Sequence, residues 1–426
     1  MVWRIGVERA VCAKTGTRIR IMHILFIHQN FPAQFGHVAA RLIETGSFEC
    51  TFLSEAPAGE VSGIRRIEYH PRHFTREATH FAARTFENQL WRAEAIADAL
   101  AERPDIRPDL VVGHSGLGPT LFLRELCGCP IINYFEYYYH ERNSDVDFRP
   151  EYPASLADIR RVRARNAMLL VDLQNCAAGY CPTDWQRSRF PREYQYKLRT
   201  IFDGIDTQFW KPAEDRARRP KFVINEREIS PDTKIVTYVT RGFESLRGFD
   251  IFMRVAKRLC EERDDVVFIC VGSDRVCYGS DLAHIQEKSF LKHVLAQDDY
   301  DLVRISFPGH IPPHEVLRIL QASDLHVYFT APFVLSWSML NAMACGCTVL
   351  ASDTPPVREM IRHGENGLLA DFYDVDKFVE LANQVIDNPP GYRHLGVAAR
   401  NTIEQNYSLD VVFPKLCEFY QGVARA

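Results

Sequence analysis

Several protein classes are disfavoured by what the 426-residue chain lacks. No apolar run approaches the roughly 18–20 residues that a bilayer-spanning helix needs, so we do not expect an integral membrane protein. Basic residues are not in surplus, because 51 Lys and Arg stand against 55 Asp and Glu and the formal net charge is −4. Broad nucleic-acid binding usually needs a basic balance, so we expect no nucleic-acid partner. Low-complexity tracts are absent, and a hydrophobic share of 46% is typical of a globular chain.

Cysteine is sparse, with 12 residues in the whole chain, which is too few for a disulfide-stapled fold. Four of them form two Cys-Gly-Cys pairs, Cys127/Cys129 and Cys345/Cys347. The two pairs would have to converge to bind zinc. We favour small buried thiols beside helix ends, no metal site and a reducing cytoplasm.

Residues 1–21 differ in character from the rest of the chain. They carry five basic residues and no apolar core, so they are not a secretory signal. At Met22 the pattern changes to a buried strand. We therefore expect 1–21 to be an N-terminal extension, disordered or not native, with Met22 as the native start. A mitochondrial-type presequence is the alternative.

Apolar runs of strand length alternate with longer stretches of helical period. Strands are predicted at 23–28, 49–53, 110–113, 130–134, 178–181, 198–201, 234–239, 266–271, 303–307, 325–329, 348–351 and 367–369. Helices are predicted at 34–46, 86–102, 118–127, 155–176, 183–190, 248–263, 313–322, 336–345, 355–363, 374–387, 392–405 and 409–424. This alternation predicts an α/β fold with parallel sheets covered on both faces.

A linker composition, rich in charge and turn residues, interrupts the alternation after residue 203. We predict a Rossmann-like domain over 22–203, a linker over 204–232, a second Rossmann-like domain over 233–405, and a C-terminal helix over 406–426 that packs back on the first domain. Each doubly wound sheet offers a ligand crevice at the carboxyl ends of its strands. The two domains are expected to face an interdomain cleft.

A turn with two arginines precedes the helix that begins near Phe249. Arg241 and Arg247 bracket this turn, and Gly242 and Gly248 allow the backbone to approach a ligand closely. A helix N-terminus beside arginines is an anion site, and a diphosphate is its natural occupant. The alternative is two solvated arginines on a loop.

A second motif spans residues 331–347, where a strand feeds a loop and then a helix of small residues that ends at Gly346. The backbone N–H groups of residues 334–338 are expected at the N-terminus of this helix, which again suits a phosphate. A two-proline turn follows, then Glu359 on a helix and a turn over 364–369.

The order of these motifs resembles that of the retaining nucleotide-sugar glycosyltransferases of family 4 (group 1), which have the GT-B fold. The resemblance covers about 22–405. It is carried by Arg241…Arg247-Gly248, Asn341–Gly346, Pro356–Glu359, Asn366–Leu369, the hinge-like Asp203–Asp206 with Phe209 and Pro212, His28–Gly36, Tyr134–Tyr138 and Phe333–Ser338. The last stretch is typical of a subgroup that lacks the usual first motif glutamate.

The resemblance implies the roles of the donor residues. Arg241 and Arg247 would be catalytic, clamping the donor diphosphate. The implied donor-binding residues are Gly36, Gly242, Phe333, Val334, Leu335, Ser336, Asn341 and Glu359. At position 341 the family usually has a glutamate. It has a second glutamate eight residues earlier, and that position falls on Phe333, or on Ala331 if the motif is aligned in a second register. Both carboxylates are therefore missing, and an amide accepts hydrogen bonds without a charge.

On the other domain, the resemblance implies that His114 is catalytic and faces the donor sugar; a satisfied loop histidine is the alternative. Gln34, Glu136 and Tyr138 are expected on the acceptor side. For Tyr138 and the tyrosines beside it, core packing is the alternative.

The implied reaction moves a sugar from a nucleoside-diphosphate sugar to a glycan, lipid-linked or small-molecule acceptor with retention and without a cofactor. No Asp-x-Asp stands at the end of a predicted strand, which favours a metal-independent reaction. The missing carboxylates motivate an alternative, a catalytically weak nucleotide-sugar-binding protein that serves as partner or regulator. A sugar epimerase or phosphorylase is a third interpretation, although no lysine stands out as an anchor for pyridoxal phosphate.

Two basic runs remain, Arg160–Arg165 and Arg216–Lys221. Such a run can contact anionic phospholipid or a pyrophosphate-linked acceptor, and is otherwise a solvated face. We expect a cytoplasmic protein, with a peripheral position at the inner face of the cytoplasmic membrane as a further expectation.

Overall fold

The computed structural model describes residues 21–55, 61–214, 223–224 and 227–426. The chain divides into two compact units. The first comprises the described residues up to Tyr139, Leu156–Asp203 and Val412–Ala426, and the second comprises His140–Ser155 and Gly204–Val411.

A seven-stranded sheet lies at the centre of the first unit. Its strands are β1 (Met22–Ile27), β2 (Phe48–Ser54), β3 (Arg65–Glu68), β4 (Leu110–His114), β5 (Ile131–Tyr134), β6 (Ala178–Cys181) and β7 (Leu198–Thr200). Their order is β3-β2-β1-β4-β5-β6-β7, and every neighbouring pair is parallel. The order reverses at β1, so a crevice is expected at the carboxyl ends of β1 and β4.

The second unit contains a six-stranded sheet and a short hairpin. Its strands are β8 (Val223–Ile224), β9 (Arg227–Glu228), β10 (Lys234–Gly242), β11 (Val266–Ser273), β12 (Ile305–Gly309), β13 (Leu325–Tyr328), β14 (Val349–Ser352) and β15 (Leu368–Ala370). Strands β8 and β9 form the antiparallel hairpin. The sheet order is β12-β11-β10-β13-β14-β15, again with parallel neighbours.

Helices follow most of the strands in both units. They are α1 (Gly36–Glu44), α2 (Arg84–Ala101), α3 (Leu123–Cys127), α4 (Asp145–Phe148), α5 (Leu156–Asn175), α6 (Asp184–Ser188), α7 (Phe249–Glu262), α8 (Phe290–Gln297), α9 (Pro313–Ala322), α10 (Trp337–Ala344), α11 (Pro355–Arg358), α12 (Val375–Asp387), α13 (Pro389–Thr402) and α14 (Leu409–Arg425). None of the helices built from described residues has the length and apolarity to cross a membrane.

The predicted α/β fold with two doubly wound parallel sheets is confirmed. Differences occur where the local signal is short. Strand β3 was not predicted, because three of its four residues are charged. Helix α8 was also missed, since eight residues are too few for a helical period to stand out. Strand β10 runs past the predicted end at 239, through a bulge, to Gly242.

Residues 140–155 lie within the stretch predicted as the N-terminal domain, but they group with the second unit. Arg149 holds them there: its guanidinium, 2% exposed, donates to both carboxylate oxygens of Asp250 at 2.6 and 3.0 Å and to the Ser245 carbonyl at 2.5 Å. Tyr152 and Tyr373 lie against the guanidinium, 5.3 and 5.7 Å from ring centroid to Cζ. Since Asp250 lies in the first turn of α7, this pair fixes where that helix begins.

A buried carboxyl group ties α5 to the first sheet. Asp172 is 0% exposed and accepts from the Ser115 hydroxyl at 2.7 Å, with Thr120 at 3.5 Å from its other oxygen. Burial raises the pKa of Asp172 to about 7, although both hydroxyl bonds act in the opposite direction. The carboxyl group therefore titrates near neutral pH in the folded chain.

Replacing Arg149 by Ala should destabilise the second unit by about 3–5 kcal/mol, because it leaves the buried Asp250 carboxylate with only the half-exposed Arg254 beside it. Hydrogen exchange should rise in peptides that cover 140–155 and 241–250. Arg254→Ala is the matched control: Arg254 pairs with the same carboxylate at 3.3 Å but is half exposed, so its loss should cost less than about 1 kcal/mol. Equal melting temperatures for the two variants would contradict the anchoring role.

Asp172→Asn should change how stability depends on pH. Between its unfolded value of 3.8 and its folded value of about 7, Asp172 binds more protons in the folded state. Its contribution to the free energy of unfolding therefore falls as pH rises through that window and is constant above it. The melting temperature of Asp172→Asn, measured relative to that of the unmodified protein, should therefore rise from about pH 5 to pH 7. Because the two proteins share all other titrating groups, the effects of those groups cancel in this comparison. A difference in melting temperature that does not change with pH would contradict the raised pKa of Asp172.

Candidate functional site

The turn between β10 and α7 has a conformation that requires glycine at two positions. Gly248 has φ +60°, and a Cβ there would lie 2.6 Å from the Cβ of Phe329. A Cβ on Gly242 would lie 2.3 Å from the Arg275 carbonyl oxygen. Any other residue would force the backbone apart. Both glycines therefore let the turn pack closely against other parts of the protein, whereas the sequence analysis expected them to let the backbone approach a ligand.

Buried acidic side chains hold this turn in place. Glu244, 1% exposed, accepts from the backbone N–H groups of Cys277 and Tyr278 at 2.5 and 2.9 Å. Asp281 accepts from the backbone N–H of Ser245 at 2.8 Å and from its hydroxyl at 2.5 Å. Burial raises the pKa of Glu244 to about 7, against the effects of nearby Arg247 and the two N–H bonds. The hydrogen bonds of these two carboxyl groups therefore fix the loops that surround the arginines.

Arg247 lies inside the second unit, 4% exposed, with only neutral groups as hydrogen-bond partners. Its Nη1 donates to the Thr330 hydroxyl at 2.6 Å and to the Tyr328 hydroxyl at 3.2 Å. The rings of Tyr278 and Phe333 flank its Cζ at 5.5 and 5.9 Å. Among the described residues, no carboxylate oxygen lies within 4.0 Å of its nitrogen atoms. Against the effect of burial, the Glu244 carboxyl group is close enough to raise the pKa of Arg247, but it forms no hydrogen bond with it. A buried cation whose hydrogen-bond partners are all neutral favours an anionic ligand.

Arg241 is exposed on the same turn. Its Nη1 lies 3.5 Å from the Tyr278 hydroxyl, so both arginines lie beside the side chain of Tyr278. The structure therefore brings together the two cations that the sequence predicted as a clamp. It gives them different environments, one exposed and one buried.

The loop before α10 joins the same cluster. The Phe333 ring lies 5.1 Å from that of Tyr278, and Val334 is buried while Leu335 is half-buried. Two of the backbone N–H groups expected to face a phosphate already have acceptors. Ser336 N–H donates to the Tyr328 hydroxyl at 3.0 Å, and Ser338 N–H donates to the Ser336 hydroxyl at 3.2 Å. Ser336 is the N-cap of α10, which explains the second of these bonds.

Asn341 and Glu359, the other predicted donor-binding residues, are both half-buried. Asn341 lies on α10, and its buried Oδ1 has no hydrogen-bond partner in the described part of the chain. Such an oxygen usually finds a donor in a folded protein or its complex. Glu359 lies directly after α11.

The predicted residues of the first unit lie at the carboxyl end of its sheet. Gln34 is half-buried in a short turn that leads into α1, and Gly36 is the buried first residue of that helix. His114 is the last residue of β4, 2% exposed, and its Nε2 lies 3.8 Å from a carboxylate oxygen of the half-buried Glu136. Tyr138 is half-buried and packs on Phe190 at 5.4 Å between ring centroids.

Several residues that build these sites were missed by sequence reasoning. They are His28, Arg149, Glu244, Asp281, Tyr278, Tyr328 and Thr330. Tyr328 could have been found, because it lies one residue before the end of the predicted strand 325–329, which feeds the second motif. The others have partners far away in the sequence, as Tyr278 does with Arg247, so no local pattern marks them.

The remaining predictions concern cysteines and basic runs. Among the described residues, no cysteine forms a disulfide and no group of three or more His, Cys, Asp and Glu is arranged to hold a metal ion. On α5, Arg161 pairs with Asp158 at 2.7 Å, and Arg165 lies 4.0 Å from the Tyr139 ring centroid. The second basic run lies outside the described residues.

Relatives of known function are distant in sequence. Alpha-maltose-1-phosphate synthase of Mycolicibacterium smegmatis is 26% identical over 236 residues, which cover 54% of this chain and 57% of that protein. D-inositol 3-phosphate glycosyltransferase of Thermobispora bispora is 24% identical over 208 residues, 48% of this chain and 45% of that protein. The chain thus spans about half the length of the curated relatives it matches.

Solved structures match nearly the whole chain. Sucrose-phosphate synthase of Thermosynechococcus elongatus has a TM-score of 0.70 at 16% identity, covering 95% of this chain and 99% of that one. HepE of Anabaena in complex with UDP-glucose has a TM-score of 0.68 at 14% identity, covering 94% and 100%. At such identities the likeness establishes the GT-B fold and leaves the substrate open.

Two family models agree with this fold. The glycosyl transferase family 4 group matches residues 46–210, and glycosyl transferases group 1 matches residues 221–402. Together they take in most of both units. With two Rossmann-like sheets and the GT-B likeness of the solved structures, the chain belongs to the group 1 glycosyltransferases of family 4.

Proposed function

We propose that this protein transfers a sugar from a nucleoside-diphosphate sugar to a hydroxyl-bearing acceptor, with the diphosphate bound between Arg241 and Arg247. The observation that carries the proposal is the buried guanidinium of Arg247, whose described hydrogen-bond partners are all neutral. A buried charge without a hydrogen-bonded counter-ion is costly, and a bound diphosphate would supply one.

The same two arginines have a role in the reaction. Negative charge develops on the leaving nucleoside diphosphate as the glycosidic bond breaks. Preorganised cations and helix N-termini stabilise such charge most where water is excluded. Arg247 is held by Tyr328 and Thr330 before any ligand binds, so little reorganisation is needed at the transition state.

We further propose that transfer proceeds with retention and without a metal ion. In this proposal the arginines and the N-termini of α7 and α10 do the work that a divalent cation does in other transferases. No nucleophile from the protein is required, because the acceptor attacks from the face that the nucleoside diphosphate leaves.

The donor is proposed to be a hexose linked to a nucleoside diphosphate. Structures similar to this chain include HepE with bound UDP-glucose, and its relatives include a GDP-mannose-dependent mannosyltransferase of Corynebacterium glutamicum. Asn341 supplies a buried acceptor oxygen, without a hydrogen-bond partner among the described residues, for a ribose or sugar hydroxyl. As an amide it would bind that hydroxyl more weakly than the glutamate usual in the family.

The acceptor, a glycan, a lipid-linked sugar or a small molecule, is proposed to bind at the carboxyl end of the first sheet. His114 ends β4, Glu136 and Tyr138 follow the end of β5, and Gln34 lies in the turn between β1 and α1. The exposed arginines at the start of α5 are proposed to contact anionic lipid if the acceptor is membrane-borne.

Arg247→Ala should lower kcat/KM for the nucleotide sugar by about 10²- to 10³-fold, because a preorganised charge is removed from the leaving group. Arg247→Lys should fall between this variant and the unmodified protein, since lysine keeps the charge but not the directed bonds to Tyr328 and Thr330. Release of nucleoside diphosphate measures both. Arg362→Ala, an exposed arginine 3.6 Å from Glu365, is the matched control and should change nothing. Unchanged turnover in Arg247→Ala would refute the clamp.

Nucleoside diphosphates should raise the melting temperature of the whole chain, since a ligand at 100 times its Kd adds about 2.7 kcal/mol to the free energy of unfolding. UDP, GDP and ADP are compared, each against the unliganded protein. Asn341→Glu should enlarge the shift given by the preferred nucleotide, and Asn341→Ala should reduce it. Equal shifts of the melting temperature in these two variants would rule out a hydroxyl contact at position 341. If none of the three nucleotides changed the melting temperature, the proposed donor site would be wrong.

A further inference from the structure

The turn between α3 and β5 carries two thiols that the candidate sites do not use. Cys127 is the last residue of α3, Gly128 follows it with φ +60°, and Cys129 comes two residues before β5. Both cysteines are half-buried and pack against the apolar core of the first unit. Gly128 is exposed, and apart from its two neighbours no atom of the described residues lies within 4 Å of the position that a Cβ there would take. The turn is therefore open to solvent.

The backbone of this turn suits a bond between the two sulfur atoms. Consecutive Cα atoms are about 3.8 Å apart, so residues on either side of one glycine have Cα atoms about 5–7 Å apart, with the shorter values where the chain bends. Disulfides join residues whose Cα atoms are about 4.4–6.8 Å apart. The thiols of Cys127 and Cys129 are already hydrogen-bonded to each other.

The two thiols differ in acidity. The hydrogen bond with Cys129 lowers the pKa of Cys127, whereas the pKa of Cys129 is raised by that bond, by burial and by the nearby Asp109 carboxylate. The thiolate is the nucleophile in thiol–disulfide exchange, and a lower pKa gives a larger thiolate fraction. We therefore expect Cys127 to attack first and Cys129 to react second.

A cavity beside Cys129 gives a small reagent room to approach. Its volume is about 370 Å³, and it lies at the amino ends of β5, β6 and β7, opposite to the carboxyl end that carries the predicted residues of the first unit. Its lining includes Cys129 and Cys176, together with the cationic side chains of Arg124 and Lys197. The two cations favour an anionic reagent. Cys176 is buried, and burial raises its pKa to about 12, so we do not expect it to react.

We propose that Cys127 and Cys129 form a reversible modification site, at which a low-molecular-weight disulfide oxidises the two thiols to an intramolecular disulfide. The Cys127 thiolate attacks one sulfur atom of the reagent, binds that half and expels the other half as a thiolate. The Cys129 sulfur then attacks the Cys127 sulfur and expels the bound half as a second thiolate. The two thiol protons of the protein pass to the expelled thiolates, so the reagent is reduced to two thiols and the protein loses two hydrogen atoms. The proposal is independent of the proposed function.

The disulfide at this site is expected to be easily reduced. Only Gly128 separates the two cysteines, and a cross-link that closes so short a loop adds little to the stability of the fold. Strained or exposed disulfides are also the labile ones. The site should therefore follow the ratio of small disulfide to small thiol around the protein.

The second Cys-Gly-Cys turn has the same sequence in a closed environment and serves as the matched control. Gly346 has φ +69°, and its flanking residues Cys345 and Cys347 are 0% and 2% exposed. Helix α13 covers this turn, because a Cβ on Gly396 would lie 2.2 Å from the Gly346 carbonyl oxygen. The Cys347 thiol donates to the Leu320 carbonyl at 3.2 Å. We expect this pair to stay reduced as long as the protein is folded.

The test compares the two turns in one sample. Full-length protein is equilibrated with oxidised and reduced glutathione, its free thiols are blocked, and tryptic peptides are analysed by mass spectrometry. Peptide 125–142 contains Cys127 and Cys129 as its only cysteines, and peptide 319–358 contains Cys345 and Cys347 as its only cysteines. An excess of oxidised glutathione should remove two hydrogen atoms from peptide 125–142 and leave peptide 319–358 unchanged. An excess of reduced glutathione should reverse the change. Oxidation of neither peptide, or equal oxidation of both in the folded protein, would overturn the proposal.

Single variants separate the two steps. Cys129→Ser keeps the attacking thiol and removes the second one, so Cys127 should retain one glutathione as a mixed disulfide. Cys127→Ser should take up glutathione about tenfold more slowly, because the remaining thiol lies beside the Asp109 carboxylate. If Cys129→Ser retained no glutathione, Cys127 would not be the attacking thiol and the proposal would be wrong.

Discussion

Arg247 carries its charge inside the second unit, where hydroxyl groups and aromatic rings surround it. Much of the neighbouring structure keeps it there. Gly248 lets the turn close against Phe329, Asp281 and Glu244 hold the loops around it, and Arg149 anchors the start of α7 from a different part of the sequence. Each of these charged groups is engaged locally. Arg247 differs from them, because its described hydrogen-bond partners are all neutral, and the proposed function assigns it a diphosphate.

The candidate site of the second unit and the carboxyl end of the first sheet differ in electrostatic character. In the second unit the candidate site is cationic and suits a diphosphate. In the first unit, several neutral polar atoms near the carboxyl end of the sheet are buried without hydrogen-bond partners among the described residues: Nε2 of His28 and of His114, the Tyr69 hydroxyl and Gln89 Oε1. Neutral donors and acceptors bind hydroxyl groups and discriminate between them by geometry, whereas charge binds a phosphate strongly with less dependence on orientation. This division matches the chemistry of a sugar linked to a diphosphate.

Local patterns predicted the fold because doubly wound sheets repeat a simple unit. Apolar strands and helices of amphipathic period recur along the chain, and glycines mark the turns between them. The pattern failed for β3, where charged residues dominate a strand at the edge of the sheet, and for the short helix α8. It also gave no sign that residues 140–155 group with the second unit. That placement depends on Arg149 and Asp250, which are 101 positions apart.

The sequence by itself determined the α/β class, the two Rossmann-like sheets, and the order of the motifs that presents Arg241, Arg247 and Asn341. Those properties follow from periodicity and turn chemistry within short stretches of chain. Only the tertiary structure decided that Arg247 is buried while Arg241 is exposed, and that His28 and His114 are buried side by side. Burial, pKa and protonation depend on what surrounds a side chain, and most of that surrounding comes from residues distant in the sequence.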